Sequence, residues 1–211
     1  MGRTREFDIE KAIGIATHLF WAKGYEGTSL NDLTDAMGIG PPSFYSAFGS
    51  KEALFRSVVE RYQDAVIAFE AEAFQEPTAR EVATRLLVGY AGVLTDPSHA
   101  PGCLVINNSL PCCEDPSFRS WLADLRIAQR GRLRDRFASA CESGDLPANA
   151  DPDALARLVM VMGWGMAVEA QSGASQEELL RILRSGHSPI PRKRRRTPFS
   201  GCVGRTRHVR S

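Results

Sequence analysis

No apolar stretch in this chain is long enough to cross a bilayer. A spanning helix needs about 20 apolar residues, and the longest run here, Leu158 to Val168, falls short. An apolar leader core is missing too, because Arg3, Arg5, Glu6, Asp8 and Glu10 stand where it would lie. The expectation is a cytoplasmic protein with no membrane partner. Cysteine is scarce, five in 211 residues, with one vicinal pair at Cys112 and Cys113 and no C-x-x-C. That excludes a disulfide framework and a zinc pattern, and reduced thiols are expected. Catalytic signatures are absent: no G-x-S-x-G, Walker loop, H-E-x-x-H or dinucleotide fingerprint occurs. His18, His99, His187 and His208 are scattered without metal-ligand spacing, and His18 reads as a partly buried side chain of the first helix. Neither an enzyme nor a cofactor or metal site is expected. The sequon at Asn107-Asn108-Ser109 has no meaning without secretion.

A large net charge is lacking as well, the formal value being +1. Its distribution is uneven. Residues 186–211 hold eight basic residues, Arg192 to Arg196 among them, and no acid, which leaves 18 basic against 25 acidic before them, or −7. That tail has no apolar periodicity and is expected to be disordered. It would add non-specific affinity for a polyanion by counterion release, or be foreign to the fold.

What is present is helical periodicity, with 43% apolar residues. Ile9, Ala12, Ile13, Ala16, Leu19 and Phe20 mark one face of a first helix between Asp8 and Gly24. A second short helix is capped by Thr28 or Ser29, with Asp32 completing a capping box, and ends at Gly38. A third follows Gly40 with Pro41 and Pro42 in its first turn, where no N–H is lost. Ser50 caps a long fourth helix, about 51–74. Further helices are expected over about 79–94, 103–113, 115–143 and 152–171, separated by Asp-Pro, Pro-Gly and Gly breaks. No β-branched alternation or hairpin spacing occurs. The fold class is all-α: a three-helix head over residues 1–50, a helical body over 51–185 and the tail.

Two short helices joined by a tight turn and backed by a third make a helix-turn-helix, whose second helix enters the major groove of DNA. The segments Phe20-Trp-Ala-Lys-Gly-Tyr-Glu-Gly-Thr-Ser-Leu30, Met37-Gly-Ile-Gly40 and Phe44-Tyr-Ser-Ala-Phe-Gly-Ser-Lys-Glu-Ala-Leu-Phe55 resemble the TetR/AcrR family across about residues 8–56. The resemblance implies a homodimeric one-component transcriptional regulator of about nine helices. Such a protein is usually a repressor of a double-stranded operator, released by a small-molecule inducer. It also implies phosphate contacts at Tyr45 and Lys51, and a helix-cap backbone contact at Thr28, beside Ser29. Where many relatives begin the recognition helix with Ser or Thr, a basic residue and Gly, this chain has Gly40, Pro41, Pro42 and Ser43, so arginine readout of guanine is not available from it. Pro41, Pro42 and Ala47 are expected against thymine methyls, with Ser43 and Ser46 supplying hydroxyls. Residues 1–56 hold six basic and seven acidic residues, so Arg3, Arg5 and Lys51 would have to act locally.

For the body, the family's dimer bundle points to Leu155, Leu158, Val159, Met162, Gly163, Trp164 and Met166 as the surface that pairs with a second copy. Tyr62, Phe69, Tyr90, Leu110, Trp121 and Trp164 are candidates for an apolar ligand site, although ordinary core is the alternative for each. Cys103, Cys112 and Cys113 would sense oxidants only if a thiolate were stabilised, against the alternative of inert buried thiols. A second class of function also fits: a helical small-molecule-binding or scaffold protein that keeps the head fold without reading DNA.

Overall fold

The computed structural model describes residues 8–109 and 116–184, without the side chains of 67 and 109. Among them the chain is helical, with no strand: α1 (Ile9–Lys23), α2 (Leu30–Met37), α3 (Pro41–Phe48), α4 (Lys51–Ala73), α5 (Ala79–Leu94), α6 (Leu104–Ser109), α7 (Pro116–Glu142), α8 (Pro152–Gln171) and α9 (Gln176–Arg184). Leu110, Cys112, Cys113, Arg3, Arg5 and the basic tail lie outside the described residues.

Short-range hydrogen bonds fix where the helices begin. Asp8 accepts the Lys11 N–H at 3.1 Å. Ser29 and Asp32 form a reciprocal capping box, as do Thr78 and Glu81. Ser50 and Asp151 cap α4 and α8. Between α2 and α3 the turn requires Gly38 at φ 67°, a left-handed conformation that costs a residue with a Cβ.

Two hydrophobic clusters organise the chain. The first joins Ala16, Phe20 and Trp21 of α1, Leu33 and Phe44 of α2 and α3, and Leu54, Phe55, Val58 and Val59 of α4; Leu104 and Val105 of α6 and Phe118 and Leu122 of α7 complete it. The second packs the end of α4, α5, the latter half of α7, α8 and Leu179 of α9 around Leu86, Phe137 and Met160. Helix α4, 23 residues long and so about 35 Å at the usual rise, belongs to both. So does the short α6, whose Leu104 and Val105 enter the first cluster while Ile106 enters the second. The head core thus recruits four apolar residues of α4 and both flanks of the 110–115 segment. His18, expected to be partly buried, is exposed, because the buried face of α1 runs through Ala12, Ala16 and Phe20 instead.

Candidate functional site

The head presents α3 outward. Phe44 is fully buried, and Phe48 packs beside it with ring centroids 5.4 Å apart. At helical spacing this turns Pro41, Pro42, Ser43, Tyr45 and Ser46 to the surface, with Tyr45 52% exposed and Ala47 half-buried. Because Pro41 and Pro42 have no N–H, the tip of α3 offers ring methylenes, hydroxyls and a phenol in place of the usual anion-binding N-terminus.

Thr28, expected as a helix-cap contact, and Lys51, expected on a phosphate, both have bonds within the head. Thr28 is fully buried, and its hydroxyl donates to the Gly24 carbonyl at 2.7 Å, closing the turn after α1. Lys51 donates to the carbonyls of Tyr25 and Thr28, both at 3.0 Å, with its ammonium 4.1 Å from the centroid of the Tyr25 ring. Two of its three protons therefore tie α4 to the α1–α2 turn. Ser29 is exposed, but its hydroxyl is held by Asp32 within the cap. Three nearby cations are paired: Lys23 with Asp32 at 2.6 Å, Arg56 with Glu52 at 2.7 Å and Arg61 with Glu10. The Lys23 ammonium, with the Ser29 hydroxyl and N–H, holds the Asp32 carboxyl well below the usual carboxylate range. The face is thus one of shape and hydroxyls more than of free positive charge.

In the body, α4, α5, α6, α7 and α8 line a partly open cavity of about 140 Å³, whose walls include the exposed Ala65 and Val93. Of the candidates named from the sequence, Tyr62, Phe69, Tyr90 and Trp164 line it, together with Cys103 and Met160. Trp121 does not. It packs against Phe55 and Phe118 in the head core, beneath the Arg56 guanidinium at 4.4 Å from its centroid, because the start of α7 belongs to that core. The Tyr62 hydroxyl lies 3.2 Å from the Cys103 sulfur. Both side chains keep some surface, but it faces the cavity. Burial accordingly pushes the Tyr62 hydroxyl well above its ordinary pKa and pushes the Cys103 thiol up, so both are neutral at pH 7. Behind the wall, Glu70 is 2% exposed and fully engaged: Tyr90 donates to it at 2.8 Å, Gln129 at 2.5 Å and Arg132 at 2.7 Å. No local pattern announces this cluster, since its other members lie 20 to 62 residues from Glu70.

The cavity wall touches the head. Tyr62 meets Trp21 of α1 edge to face at 5.3 Å, and the Trp21 indole N–H donates to the Gly102 carbonyl at 3.1 Å while its ring stacks on His99 at 3.8 Å. At the end of α6, Asn108 accepts the Tyr25 N–H at 2.6 Å and donates to the Leu104 carbonyl at 2.7 Å. The sequence treats Asn108 only as part of an idle sequon, and the structure makes it a clasp between α6 and the end of α1.

Most of the residues expected to face a second copy point inward. Val159, Gly163 and Met166 are buried in the subunit's own core, and Leu155 and Met162 are half-buried against it. Gly163 serves a close approach, but to Tyr90, whose ring would lie 3.1 Å from an added Cβ. Trp164 also faces the cavity. Only Leu158 of the group is exposed. The outward stripe of α8 is Ala154, Leu158, Val161, Gly165 and Val168, with Leu158, Val161 and Val168 between 42% and 52% exposed.

Residues 13–58 match the model for bacterial regulatory proteins, tetR family. Over 184 residues the chain is 34% identical to the HTH-type transcriptional repressor ComR of Escherichia coli (strain K12), covering 86% of this chain and 88% of that protein. Identity rises to 49% with the HTH-type transcriptional repressor BdcR of the same strain, over 61 residues that cover 29% of this chain and 31% of BdcR. Among solved structures, the chain is similar to the TetR family transcriptional regulator CifR, a cysteine mutant complexed with 26-base-pair operator DNA. That likeness has a TM-score of 0.81 and 35% identity, covering 86% of this chain and 96% of the other.

Proposed function

The chain belongs to the TetR family of bacterial regulatory proteins and is a DNA-binding transcriptional repressor, and from that premise we propose that it grips its operator as a homodimer and lets go when a small molecule fills the body cavity. The observation that carries the DNA reading is the outward side of α3, where Ser43, Tyr45 and Ser46 stand exposed over a fully buried Phe44. Tyr45 holds a phosphate, while Pro41, Pro42 and Ala47 meet thymine methyls. With no arginine or lysine on this helix, specificity comes from methyl contacts, hydroxyls and DNA shape. Ser29 positions the start of α2, and Lys51 positions the turn it ties down.

Two recognition helices must reach half-sites about 34–36 Å apart, one turn of the duplex. The 4-3-4-3 spacing of Ala154, Leu158, Val161, Gly165 and Val168 is that of a helix–helix seam, and Ile182 of α9, 43% exposed, extends the apolar surface. A second copy covers it. Release follows from the contact between the two cores. A molecule in the cavity presses on Tyr62 and α6, and both bear on α1 through Trp21 and Asn108. Ligand and operator then each weaken the other's binding by the same factor.

Fluorescence anisotropy on duplexes from the protein's own promoter region tests this. Wild type binds, Ser43→Ala combined with Tyr45→Phe binds at least tenfold more weakly, and Val161→Glu sediments as a monomer and loses affinity. Failure of the wild type on every duplex, or a guanine-dominated motif from selection on randomised DNA, contradicts the reading.

A further inference from the structure

The cavity's size and lining restrict what it can accept. Its volume, about 140 Å³, is well below the roughly 300–1,000 Å³ of sites for drug-sized ligands. It is close to the about 150 Å³ of a dry apolar cavity that takes up benzene. Its walls are Phe69, Met160, Trp164 and aliphatic side chains, with a polar edge at the Tyr62 hydroxyl and the Cys103 thiol. Neither group of that pair carries a charge. Tyr62 and Cys103 are held neutral by burial. The Glu70 carboxylate behind Tyr90 already accepts from Tyr90, Gln129 and Arg132. Arg126, which also lines the cavity, is engaged in an interaction of its own. A cationic ligand would give up its hydration without a free carboxylate in return, and an anionic one would find only Arg126, which is already engaged.

We propose that the cavity selects a neutral molecule about the size of one six-membered ring with a single short polar substituent, the ring lying among Phe69, Met160 and Trp164 and the substituent meeting the Tyr62–Cys103 pair. This rests on the reading of the cavity as the inducer site for its consequence at the operator, but not for the binding itself. The pair can serve either sense of hydrogen bond. If the phenol donates to sulfur, the thiol proton is left for a ligand acceptor; if the thiol donates, the phenol proton is left instead. Hydroxyl, carbonyl and ether groups therefore all fit.

Four probes of related shape separate size from charge: benzyl alcohol, benzoate, benzylamine and 2-naphthalenemethanol, titrated against the full chain by isothermal calorimetry and by chemical shifts of the Met160 methyl. Benzyl alcohol should saturate and shift Met160. The benzoate anion and the benzylammonium cation should bind at least tenfold more weakly, and the naphthyl alcohol should be weakened similarly by its second ring. Filling the space from two sides, with Ala167→Leu on α8 and with Val66→Phe on α4, should each abolish benzyl alcohol binding. Circular dichroism and cooperative urea unfolding show that these variants are folded. Equal or tighter binding of benzoate, which Arg126 would favour, overturns the proposal. So does equal or tighter binding of benzylamine or the naphthyl alcohol, unchanged benzyl alcohol binding in both folded filled variants, or no saturable binding at all. Operator affinity measured with benzyl alcohol present is a separate readout. Cavity binding that leaves the operator complex intact sinks ligand-induced release while leaving the ligand class standing.

Discussion

Replacing Asn108 should loosen the joint between head and body by an amount that can be worked out bond by bond. The side chain is 4% exposed. Its Oδ1 accepts the Tyr25 N–H at 2.6 Å, and its Nδ2 donates to the carbonyls of Leu104 at 2.7 Å and Phe20 at 3.4 Å. Asn108→Ala takes this acceptor from the half-buried Tyr25 N–H in the seam, a loss of about 1–3 kcal/mol. The shorter Nδ2 bond adds about 0.5–1.5 kcal/mol, and the 3.4 Å contact adds little. The expected destabilisation is about 2–4 kcal/mol. Asn108→Leu, which fills the space but forms none of these bonds, should recover no more than about 1 kcal/mol of it. Urea unfolding followed by circular dichroism gives the stabilities, provided the slope with denaturant is unchanged. A change within about 0.5 kcal/mol for Asn108→Ala, the usual span of an inconsequential surface substitution, would refute the clasp. Full recovery in Asn108→Leu would refute its hydrogen-bonding basis.

Four further outcomes follow from the same geometry. Lys51→Met should lower the urea midpoint and weaken operator binding with little change in salt dependence. A fall of about 1.8 in the slope of log affinity against log salt, about 0.9 for each of two copies, would instead mark a phosphate contact. An alanine Cβ at position 89 would lie 2.0 Å from Cζ of Phe69. Gly89→Ala should therefore destabilise through overpacking by about 1–3 kcal/mol, less about 1 kcal/mol of helix propensity, and Phe69→Leu should relieve it; a stability gain in the single variant would show that the ring gives way freely. Asp32 has a depressed pKa, so its cap and its bond to Lys23 act above the ordinary carboxylate range and fade as pH falls through the folded value. The stability gap between wild type and Asp32→Asn should thus hold from about pH 5 to 7 and close on acidification, and a gap that widens in acid contradicts the assignment. Finally, methyl methanethiosulfonate should modify Cys103 at pH 7.5 at least tenfold more slowly in the folded chain than in urea, because the buried thiol is protonated; comparable rates followed by mass spectrometry would restore the sensor idea.

Features held by contacts three or four residues apart were legible in the sequence. The caps at Asp8, Ser29, Ser50 and Asp151 are of this kind, as is the outward turn of Tyr45 beside an inward Phe44. Phe69, Tyr90 and Trp164 could be picked out as cavity candidates because aromatic side chains on body helices have few other places to go. Trp121 misleads for the same reason, since its helix is shared between two cores and only tertiary packing decides which one takes it. On α8, apolar residues on nearly every side hide which stripe faces out. Leu158 belongs to the exposed set, whereas Val159 and Met166 belong to the interior. Lys51 and Thr28 carry the family's pattern, yet their polar atoms turn back to the backbone that shapes the head.

The way α6 is shared between the clusters limits how it can move. Leu104 and Val105 are anchored in one core and Ile106, their immediate neighbour, in the other. Spinning this short helix by a single residue step, about 100°, would pull apolar side chains out of both cores at once. Sliding it lengthwise keeps every side chain on its own side and carries Asn108, with the end of α1, along. Under the proposed release, α6 would therefore act as a piston and not a crank, over a distance set by how far a guest pushes Cys103 and Ile106.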